Sequence, residues 1–375
     1  MSLDLPPEAF AAALAAFPHM TIHRLGALLR HHGPVEAYEV AIGAQGSRGL
    51  IERVLADDDV RAAWLRAGRS TIVDDIWQRC TRVGVRVLVH GAPGYPALLL
   101  DDPLPPPVLF CQGRLDLLDG RRAAIVGTRN ATAAGRDMAT RLGRELAEAE
   151  VHVVSGLARG IDGCAHIGAL RATGGGRPIA VVASGHDVVY PREHRELWSR
   201  VAEDGLLLSE SPPGTAPEAY RFPLRNRLIA ALAEVVVVVE SREHGGSLIT
   251  VNEAIARNVP LMAVPGGVHN RAATGTNQLL RDGAGVVVEA TDVLIALALD
   301  HRRSRGCVTD PRARPSGVDL AVYETCASEP RTIDGLSLVC SLSLVDTAMA
   351  VARLEQTGWI QQIDGWFEAV GSPLR

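Results

Sequence analysis

The sequence contains no lysine, so its 38 basic residues are all arginine, and 43 acidic residues give a formal charge of −5. This balance argues against a protein that coats nucleic acid through a generally basic surface. It leaves room for one local anion site, because a phosphate responds to nearby arginines while charges beyond about 10 Å are screened at ~0.1 M salt. The lack of lysine also excludes the lysine-dependent phosphate loop of P-loop nucleotidases.

Cysteine is scarce as well. The six cysteines form no CxxC pair and no histidine stands at zinc-finger spacing, which excludes a disulfide framework and a zinc site and favours a reduced compartment. No basic segment precedes an apolar signal core at the N-terminus, and no run approaches the ~20 apolar residues of a membrane helix. We therefore expect a cytoplasmic protein without membrane contact, metal or cofactor.

The 375 residues, 47% hydrophobic and 22% charged, are typical of two or three globular domains. The proline-rich stretch at 101–110 and the polar, arginine-rich stretch at 301–317 are typical of linkers. We predict a helical N-terminal domain (1–90), a central domain (91–300) with an entry segment (91–120), a linker (301–317) and a C-terminal domain (318–375).

Seven short apolar runs of the central domain, from AAIVG at 123–127 to GVVVE at 285–289, alternate with helical patterns. Apolar β-rich runs separated by helices are typical of a parallel sheet that is buried on both faces. Several runs end in glycine or serine, at the strand ends where such sheets collect ligand groups. We predict an α/β fold with an extended Rossmann-like parallel sheet, helices on both faces, and a site at the carboxyl ends of its strands.

Residues 318–375 carry three short amphipathic patterns and then WIQQIDGWFEAV, which predicts a hairpin that turns at Asp364 and Gly365. Three helices and a hairpin predict a winged helix. Its candidate recognition helix, 343–356, has Arg353 as its only basic residue, so partner contact or packing is favoured over reading of a DNA groove.

The loop after the first run of the central domain is a candidate anion site. Gly127 allows close backbone approach, Thr128 supplies a hydroxyl, Arg129 offers a bidentate fork, and Thr132 is placed to cap the following helix. The alternative is a surface arginine on a tight turn.

The next loop supplies Ser155 and Gly156 as candidate phosphate contacts. Further along, Asp162 and His166 have the i,i+4 spacing of a metal-ligand pair, but no third ligand is evident. We expect Asp162 to cap the helix that begins after Ile161 and His166 to be a core residue.

The densest cationic cluster surrounds a predicted helix that starts at Pro223. Arg225 falls on the apolar face of this helix, whereas Asn226 and Arg227 point away from that face. Arg221 and Arg227 are therefore the expected solvent-side phosphate binders, with Asn226 beside them.

Two side chains of this cluster have alternative roles. Arg225 is either a DNA contact or a buried ion-pair partner of Glu210 or Asp162. Phe222 either stacks on a base, a contact worth roughly 1–3 kcal/mol, or forms a hydrophobic staple onto the helix.

A fourth loop ends in Gly246 and Ser247 before another helix, and a fifth lies at 264–267 with 275–277 shortly after it. Because the carboxyl ends of parallel strands share one edge, these loops are expected to converge with the earlier ones. Their convergence predicts a ligand with several phosphates.

Catalytic motifs are missing: there is no GxGxxG after the first run and no GxSxG. Asp162, Asp187 and Glu210 are not spaced as an acid and base pair, so we expect no enzyme activity and no catalytic residue. The rival hypothesis is a nucleotide-cleaving enzyme of the phosphoribohydrolase type, which shares a PGG loop. The glutamate of that type falls on Leu279 here.

An ordered series of motifs resembles the DNA-processing protein A (DprA/Smf) family over roughly residues 95–300: IVGTRNATAAG, SGLARGIDGCAH, SGHDVVYP, LLSESPPGTAPEAYRFPLRNRLIAAL, VVVVESREHGGSLIT, and AVPGG followed by GTNQLLRDGA. The resemblance implies an extended Rossmann domain that binds single-stranded DNA and loads the RecA recombinase onto it. It also implies displacement of single-strand binding protein, a role in natural transformation and competence, and a homodimer.

Carried onto this sequence, two segments match the family's DNA-binding motifs. The matching residues are Gly127, Thr128 and Arg129 of its phosphate loop and Phe222, Arg225, Asn226 and Arg227 of its FPxRNR segment. Ala219 stands where some members have lysine, which is expected to soften DNA affinity.

Overall fold

The structure, a computed structural model, describes residues 5–69, 72–299, 315–363 and 365–370. The chain divides into two compact units, Met1–Arg303 and Ser304–Arg375. Most of the predicted linker at 301–317 lies outside the described residues.

The first unit opens with a helical region whose apolar spacing matches the predicted helices. Alanine-rich α1 is buried along most of its length, and α3 begins at Pro34, directly after the predicted break at Gly33. Phe17, Tyr38 and Trp64 pack edge to face in the core of this region. The helices are α1 (Pro7–Ala15), α2 (Ile22–His31), α3 (Pro34–Ala41), α4 (Leu50–Leu55), α5 (Asp58–Arg69) and α6 (Ile72–Val83).

A nine-stranded sheet follows in the order β1-β2-β6-β5-β4-β3-β7-β8-β9. Seven strands, β3 to β9, are parallel as predicted, but β2 runs antiparallel to both β1 and β6, so the sheet is mixed. The strands are β1 (Arg86–Val89), β2 (Val108–Gly113), β3 (Arg122–Val126), β4 (His152–Ser155), β5 (Pro178–Val181), β6 (Leu206–Ser209), β7 (Val235–Val238), β8 (Leu261–Ala263) and β9 (Gly285–Val286).

Helices cover both faces of the sheet. Alternate residues of one strand face opposite cores: Ile125 packs with α7, α8 and α13, while Val126 packs with α10 and α11. This two-sided burial explains why the strands are continuous apolar runs. The helices are α7 (Ala133–Glu148), α8 (Ile161–Arg171), α9 (Arg195–Asp204), α10 (Arg221–Leu232), α11 (Ser247–Ala256), α12 (Thr274–Arg281) and α13 (Ala290–Leu299).

The proline-rich stretch at 101–110 is part of the folded unit rather than the predicted linker. Its last residues enter β2, where Val108 and Phe110 are buried. Asp102 forms an ion pair of 2.7 Å with Arg257, and both side chains are almost fully buried. Prolines remove backbone donors, but the carbonyl groups and side chains of this stretch anchor it against the sheet.

The second unit contains three helices and a hairpin, in the predicted order. The elements are α14 (Val318–Ser328), α15 (Ile333–Cys340), α16 (Leu344–Gln356), β10 (Ile360–Ile363) and β11 (Trp366–Ala369). Gly365, at the hairpin turn, has a φ of 86°, which glycine adopts without strain. Asp364 lies outside the described residues, and the assignment as a winged helix stays a prediction.

None of the helices in the described part of the chain has by itself the length and apolar composition to cross a bilayer. Helices α15 and α16 have the required length and apolar composition only when they are taken together, and the two are bent by 111° relative to each other.

Candidate nucleic-acid interface

A cavity of about 650 Å³ opens at the carboxyl ends of β3 and β7, beside the start of α10. This is the edge at which the strand sequence predicted a site. The predicted site residues that line the cavity are Gly127, Thr128, Arg129, Phe222, Arg225, Asn226, Gly246 and Ser247.

The loop after β3 is fixed by Glu240, just beyond β7. The Thr128 N–H donates to the Glu240 carbonyl at 2.8 Å, and the Thr132 N–H donates to the Glu240 carboxylate at 2.9 Å. A Cβ at Gly127 would lie only 2.8 Å from the Glu240 carbonyl oxygen, so this position requires glycine. The Thr132 hydroxyl accepts from the Gly135 N–H at 3.0 Å, which confirms the predicted helix cap.

This frame presents Arg129 to solvent. The Arg129 guanidinium lies over the Phe222 ring, 4.9 Å from its centroid, and the Tyr190 ring lies 5.4 Å from Phe222 on centroids. A guanidinium over an aromatic face is held by the ring quadrupole while its outer donors remain available. The cavity therefore combines an exposed guanidinium with two aromatic rings.

Phe222 is the second residue of α10, because that helix begins at Arg221, two residues before the predicted start at Pro223. A hydrophobic staple residue precedes its helix, so the staple alternative for Phe222 is wrong. The ring lines the cavity instead.

Arg225 is buried, with 6% of its surface exposed. Its guanidinium donates to the Gly156 carbonyl at 2.6 Å and to the Val181 carbonyl, and its Nε donates to Asn226 Oδ1 at 3.2 Å. Burial lowers the pKa of Arg225 to about 10, and the nearby Asp162 charge opposes that shift. Arg225 is thus a structural arginine whose main partners are backbone carbonyls.

Asp162 is not the predicted cap of α8, because Gly160 occupies the N-cap position and Asp162 lies in the first turn. Its carboxylate accepts from the Gly156 N–H at 3.2 Å. Burial raises the pKa of Asp162, and Arg225 and two backbone N–H groups oppose the rise. The aspartate therefore fixes the Gly156 loop against the helix.

Ser155 does not reach the cavity, contrary to the prediction. The residue is fully buried, and its hydroxyl donates to the Ile125 carbonyl at 2.6 Å. Gly156 lines a smaller cavity of about 170 Å³ that adjoins the first one and shares Arg129, Phe222 and Arg225 with it.

The prediction that Arg227 faces solvent is wrong. Arg227 is only 3% exposed, forms an ion pair with Glu210 and donates to the Leu104 carbonyl at 2.6 Å. The side of α10 that points away from the sheet core is covered by the proline-rich stretch, whose contact with the helix the helical period does not reveal. Burial raises the pKa of Glu210, with Arg227 acting against it.

Arg221 does not line the cavity either. Its Nε donates to Glu218 at 3.1 Å, and its guanidinium lies 5.0 Å from the centroid of the exposed Tyr220 ring. Arg221 and Arg227 instead border a second cavity on the other side of α10.

The fourth loop reaches the cavity and the fifth does not. Ser247 begins α11, and its hydroxyl donates to the Ser241 hydroxyl at 2.9 Å. In the fifth loop, the Asn277 amide nitrogen donates to the Gly266 carbonyl at 3.0 Å, and the Asn277 Oδ1 accepts from the Gly266 N–H at 3.1 Å. This loop does not line the cavity. Fewer loops therefore converge on the cavity than the sequence predicted.

The cavity lining also includes residues that were not predicted as site residues, among them Arg242, His244 and Tyr190. Arg242 and His244 lie four and six residues after the end of β7, so their position beyond a strand end is a signal that could have identified them. Tyr190 comes from the segment between β5 and α9, and nothing in its local pattern indicates that it contacts Phe222.

The described residues contain no cluster of three or more side chains that could hold a metal ion. His166, considered as one half of a ligand pair, is fully buried, and neither of its ring nitrogens has a hydrogen-bond partner within the described part of the chain. Burial lowers its pKa to about 3, so the imidazole is neutral at physiological pH.

The fold and the cavity define a Rossmann-like protein with an arginine- and aromatic-lined cavity at the carboxyl edge of its sheet. The sequence model of the DNA recombination-mediator protein A family matches residues 86–298, more than half of the chain. The putative DNA processing protein DprA of Mycobacterium tuberculosis H37Rv is 41% identical over 361 residues, which covers 91% of this chain and 89% of that protein. The chain therefore belongs to the DNA recombination-mediator protein A (DprA/Smf) family.

Solved structures agree with this assignment. The X-ray structure of DNA processing protein A from Streptococcus pneumoniae has a TM-score of 0.63 and 28% identity, and covers 78% of this chain and 98% of that one. A structure of DNA processing protein A from Helicobacter pylori, described for its single-stranded DNA binding mode, has a TM-score of 0.51 and 30% identity, and covers 57% of this chain and 95% of that one.

Proposed function

We propose that this protein binds single-stranded DNA in the cavity at the ends of β3 and β7. The observation that carries the proposal is the exposed Arg129 guanidinium over the Phe222 ring, at the rim of a cavity with loop hydroxyls. Single-strand binders combine a cation for the phosphate with an aromatic face for the base. The Helicobacter pylori relative, described as binding single-stranded DNA, supports the same ligand here.

The preference for a single strand follows from access. A base reaches the Phe222 ring only when it is unstacked and unpaired, whereas a duplex exposes phosphates but not base faces. The contacts should tolerate any sequence, since every base has an aromatic face. Affinity should fall by ~0.7 log units per log unit of salt for each phosphate that is neutralised.

We further propose that the bound strand is handed to a RecA recombinase, in place of single-strand binding protein, by a cytoplasmic homodimer of this chain acting in recombination and natural transformation. Membership of the recombination-mediator family supports this role. The expected test is RecA filament formation on DNA coated with single-strand binding protein, which should accelerate in the presence of this protein and stay slow with Arg129→Ala.

We propose that the protein acts without catalysis. Asp162 is the one carboxylate among the residues that line the cavity, and it is engaged by the Gly156 N–H. A nucleotide-cleaving enzyme of the phosphoribohydrolase type needs a free carboxylate at that place. Incubation with nucleoside monophosphates should release no free base, and release at enzymatic rates would establish the phosphoribohydrolase alternative instead.

The binding proposal is tested by fluorescence anisotropy with labelled oligo-dT and a duplex of equal length. Wild type should bind oligo-dT more tightly, and Arg129→Ala should weaken that binding about tenfold and flatten the salt dependence. The matched control is Arg171→Ala, an exposed arginine in the last turn of α8, which should bind as wild type does. Equal binding of duplex and single strand, or unchanged binding by Arg129→Ala, would refute the proposal.

A further inference from the structure

A second cavity, of about 380 Å³, lies on the opposite side of α10 from the proposed DNA site. Its walls come from the turn between α1 and α2, the proline-rich stretch, the ends of β5 and β6, and α10 itself. Most of the wall is apolar, including Met20, Leu104, Leu224 and Leu228. A largely apolar cavity of this size with few polar groups is the usual form of a small-molecule site.

One acidic residue, Glu210, lines this cavity. One of its carboxylate oxygens accepts from Arg227, while the other has no hydrogen bond among the described residues. Both members of the ion pair line the cavity. The Glu210 side chain is 23% exposed and that of Arg227 only 3%, so the carboxylate is the more accessible of the two groups. An ionised carboxylate only accepts hydrogen bonds, so an occupant must offer donors to it.

The open side of the cavity carries exposed apolar surface. Tyr220, the N-cap residue of α10, is 56% exposed, and Leu224 in the first turn of α10 is 48% exposed. Arg221, partly exposed and lying over the Tyr220 ring, adds a cation at this side. The cavity thus offers apolar walls for a flat ring, an acceptor inside and a cation near its mouth.

We infer that this cavity binds a guanine base, with the Glu210 carboxylate accepting from the base and Leu224 packing on its ring. Guanine presents two adjacent donors, N1–H and the N2 amino group, which match the two oxygens of a carboxylate. Thymine offers a single N–H between two carbonyls, and adenine and cytosine each pair an amino group with an acceptor nitrogen that the carboxylate repels. The apolar walls accept any base, so the carboxylate sets the preference.

The base has two possible sources with the same chemistry, a free guanine nucleotide or a guanine of a DNA strand. The free-nucleotide source does not depend on the proposed DNA site. The strand source rests on it, since Phe222 lines the proposed DNA site and Tyr220, two residues earlier, lines the second cavity.

The first experiment is isothermal titration calorimetry of the full chain with GMP and, separately, TMP. GMP should bind about tenfold more tightly than TMP, within the discrimination that one bidentate base contact provides. Equal heats and affinities for the two nucleotides, or no binding of either, would overturn the inference.

The test variant is Leu224→Trp, which fills the cavity from a half-exposed position and so should fold. It should abolish GMP binding and leave oligo-dT affinity within about twofold of wild type. The matched control is Ile255→Trp, a similarly exposed apolar residue on α11 that does not line the cavity; it should bind GMP normally. Retained GMP binding in Leu224→Trp would contradict the assignment.

Two further variants separate the causes. Glu210→Gln should lose the preference for GMP over TMP while its thermal unfolding remains cooperative. Arg129→Ala should lose oligo-dT affinity but keep GMP affinity, so failure of the DNA proposal and failure of this one are distinguishable. A persistent GMP preference in a folded Glu210→Gln protein would contradict the role of the carboxylate.

An oligo-dT with one central guanine identifies the source. Tighter binding than plain oligo-dT by wild type, but not by Leu224→Trp, assigns the base to the strand. Equal binding of both oligonucleotides together with GMP binding assigns it to the free nucleotide.

Discussion

The loop after β3 and the helix α10 both carry arginines toward the same edge of the sheet, but they use them in opposite ways. Arg129 on the loop is exposed and contacts an aromatic ring, whereas Arg225 and Arg227 on the helix are buried and donate to carbonyl groups and a carboxylate. The difference shows that a high local number of arginines in the sequence indicates where a binding site lies but does not identify which of them are available to bind a ligand.

The physical reason lies in desolvation. A buried guanidinium has given up water and needs most of its donors satisfied by the protein, so it has little left for a phosphate. An exposed guanidinium over a ring keeps its outer donors free. We therefore expect substitution of the buried arginines of α10 to act first on stability and substitution of Arg129 to act first on binding.

The largest effect should come from Arg227→Ala. Removing this partner leaves the Glu210 carboxylate uncompensated in a mostly apolar environment, which should lower the free energy of unfolding by about 3–5 kcal/mol. Urea denaturation followed by circular dichroism measures it. Arg129→Ala, the exposed counterpart, should change the same quantity by no more than about 0.5 kcal/mol. Similar losses of unfolding free energy in the two variants would contradict the distinction between the buried and the exposed arginine.

A pH experiment extends the comparison to a buried group that is neutral. Burial holds the pKa of His166 at about 3, below its ordinary value of 6.5, so between these values the unfolded chain binds a proton that the folded chain does not. Stability must then fall as the pH falls through this window, by about 2 kcal/mol between pH 7 and pH 5.

Denaturation at both pH values should show that this loss shrinks by about 2 kcal/mol in His166→Leu. Other buried histidines, such as His186, shift in the same direction and contribute equally to both proteins. His244→Leu, at an exposed position by the DNA cavity, serves as the control and should follow wild type. An unaltered acid loss in His166→Leu would rule out this residue as its source.

The aromatic partner of Arg129 gives the next prediction. Phe222→Leu keeps an apolar side chain on α10 but removes the ring face, which should weaken oligo-dT binding about tenfold, at the lower end of the 1–3 kcal/mol that a stacked base contributes. Anisotropy measures the affinity, and urea denaturation should show a stability loss of about 1 kcal/mol or less. A stability loss without a change in affinity would place Phe222 with the buried arginines instead.

The smallest effect concerns the helix cap beside the loop that carries Arg129. Thr132→Ala removes the cap of α7 and should lower the free energy of unfolding by about 1 kcal/mol. Thr140→Ala, in the interior of the same helix, is the matched control and should change it by less than about 0.5 kcal/mol. Thermal or urea unfolding distinguishes the two, and equal effects would show that the cap is not what stabilises the loop.

The parallel strands could be predicted because burial on both faces makes most of them apolar runs, as in the five valines that include β7. The edge strand β9 is an apolar run although its Val286 is 53% exposed. Strands β1 and β2 were not predicted, since β2 begins directly after prolines that are typical of a linker. Its antiparallel pairing depends on contacts with β6, far along the chain, which leave no local pattern.

The site could be located but not fully assigned. Strand ends predicted the positions of Gly127, Arg129 and Ser247, because topology alone brings them to one edge. Whether Arg227 and Ser155 are exposed depends on which other segments pack against them. The helical or strand period predicts the direction of a side chain but not whether another segment buries it. The role of Arg225 could not be decided for the same reason, since its backbone partners are Gly156, after β4, and Val181, the last residue of β5.

The contact between Gly156 and Arg225 has a consequence for how this protein can vary. A Cβ at Gly156 would lie 2.3 Å from a terminal nitrogen of the Arg225 guanidinium, and the Gly156 carbonyl is one of that guanidinium's acceptors. Any larger residue at 156 must displace the arginine, and any shorter residue at 225 leaves a void and a buried carbonyl without its donor. The two positions are therefore sterically coupled, so that a tolerated substitution at one requires a matching substitution at the other.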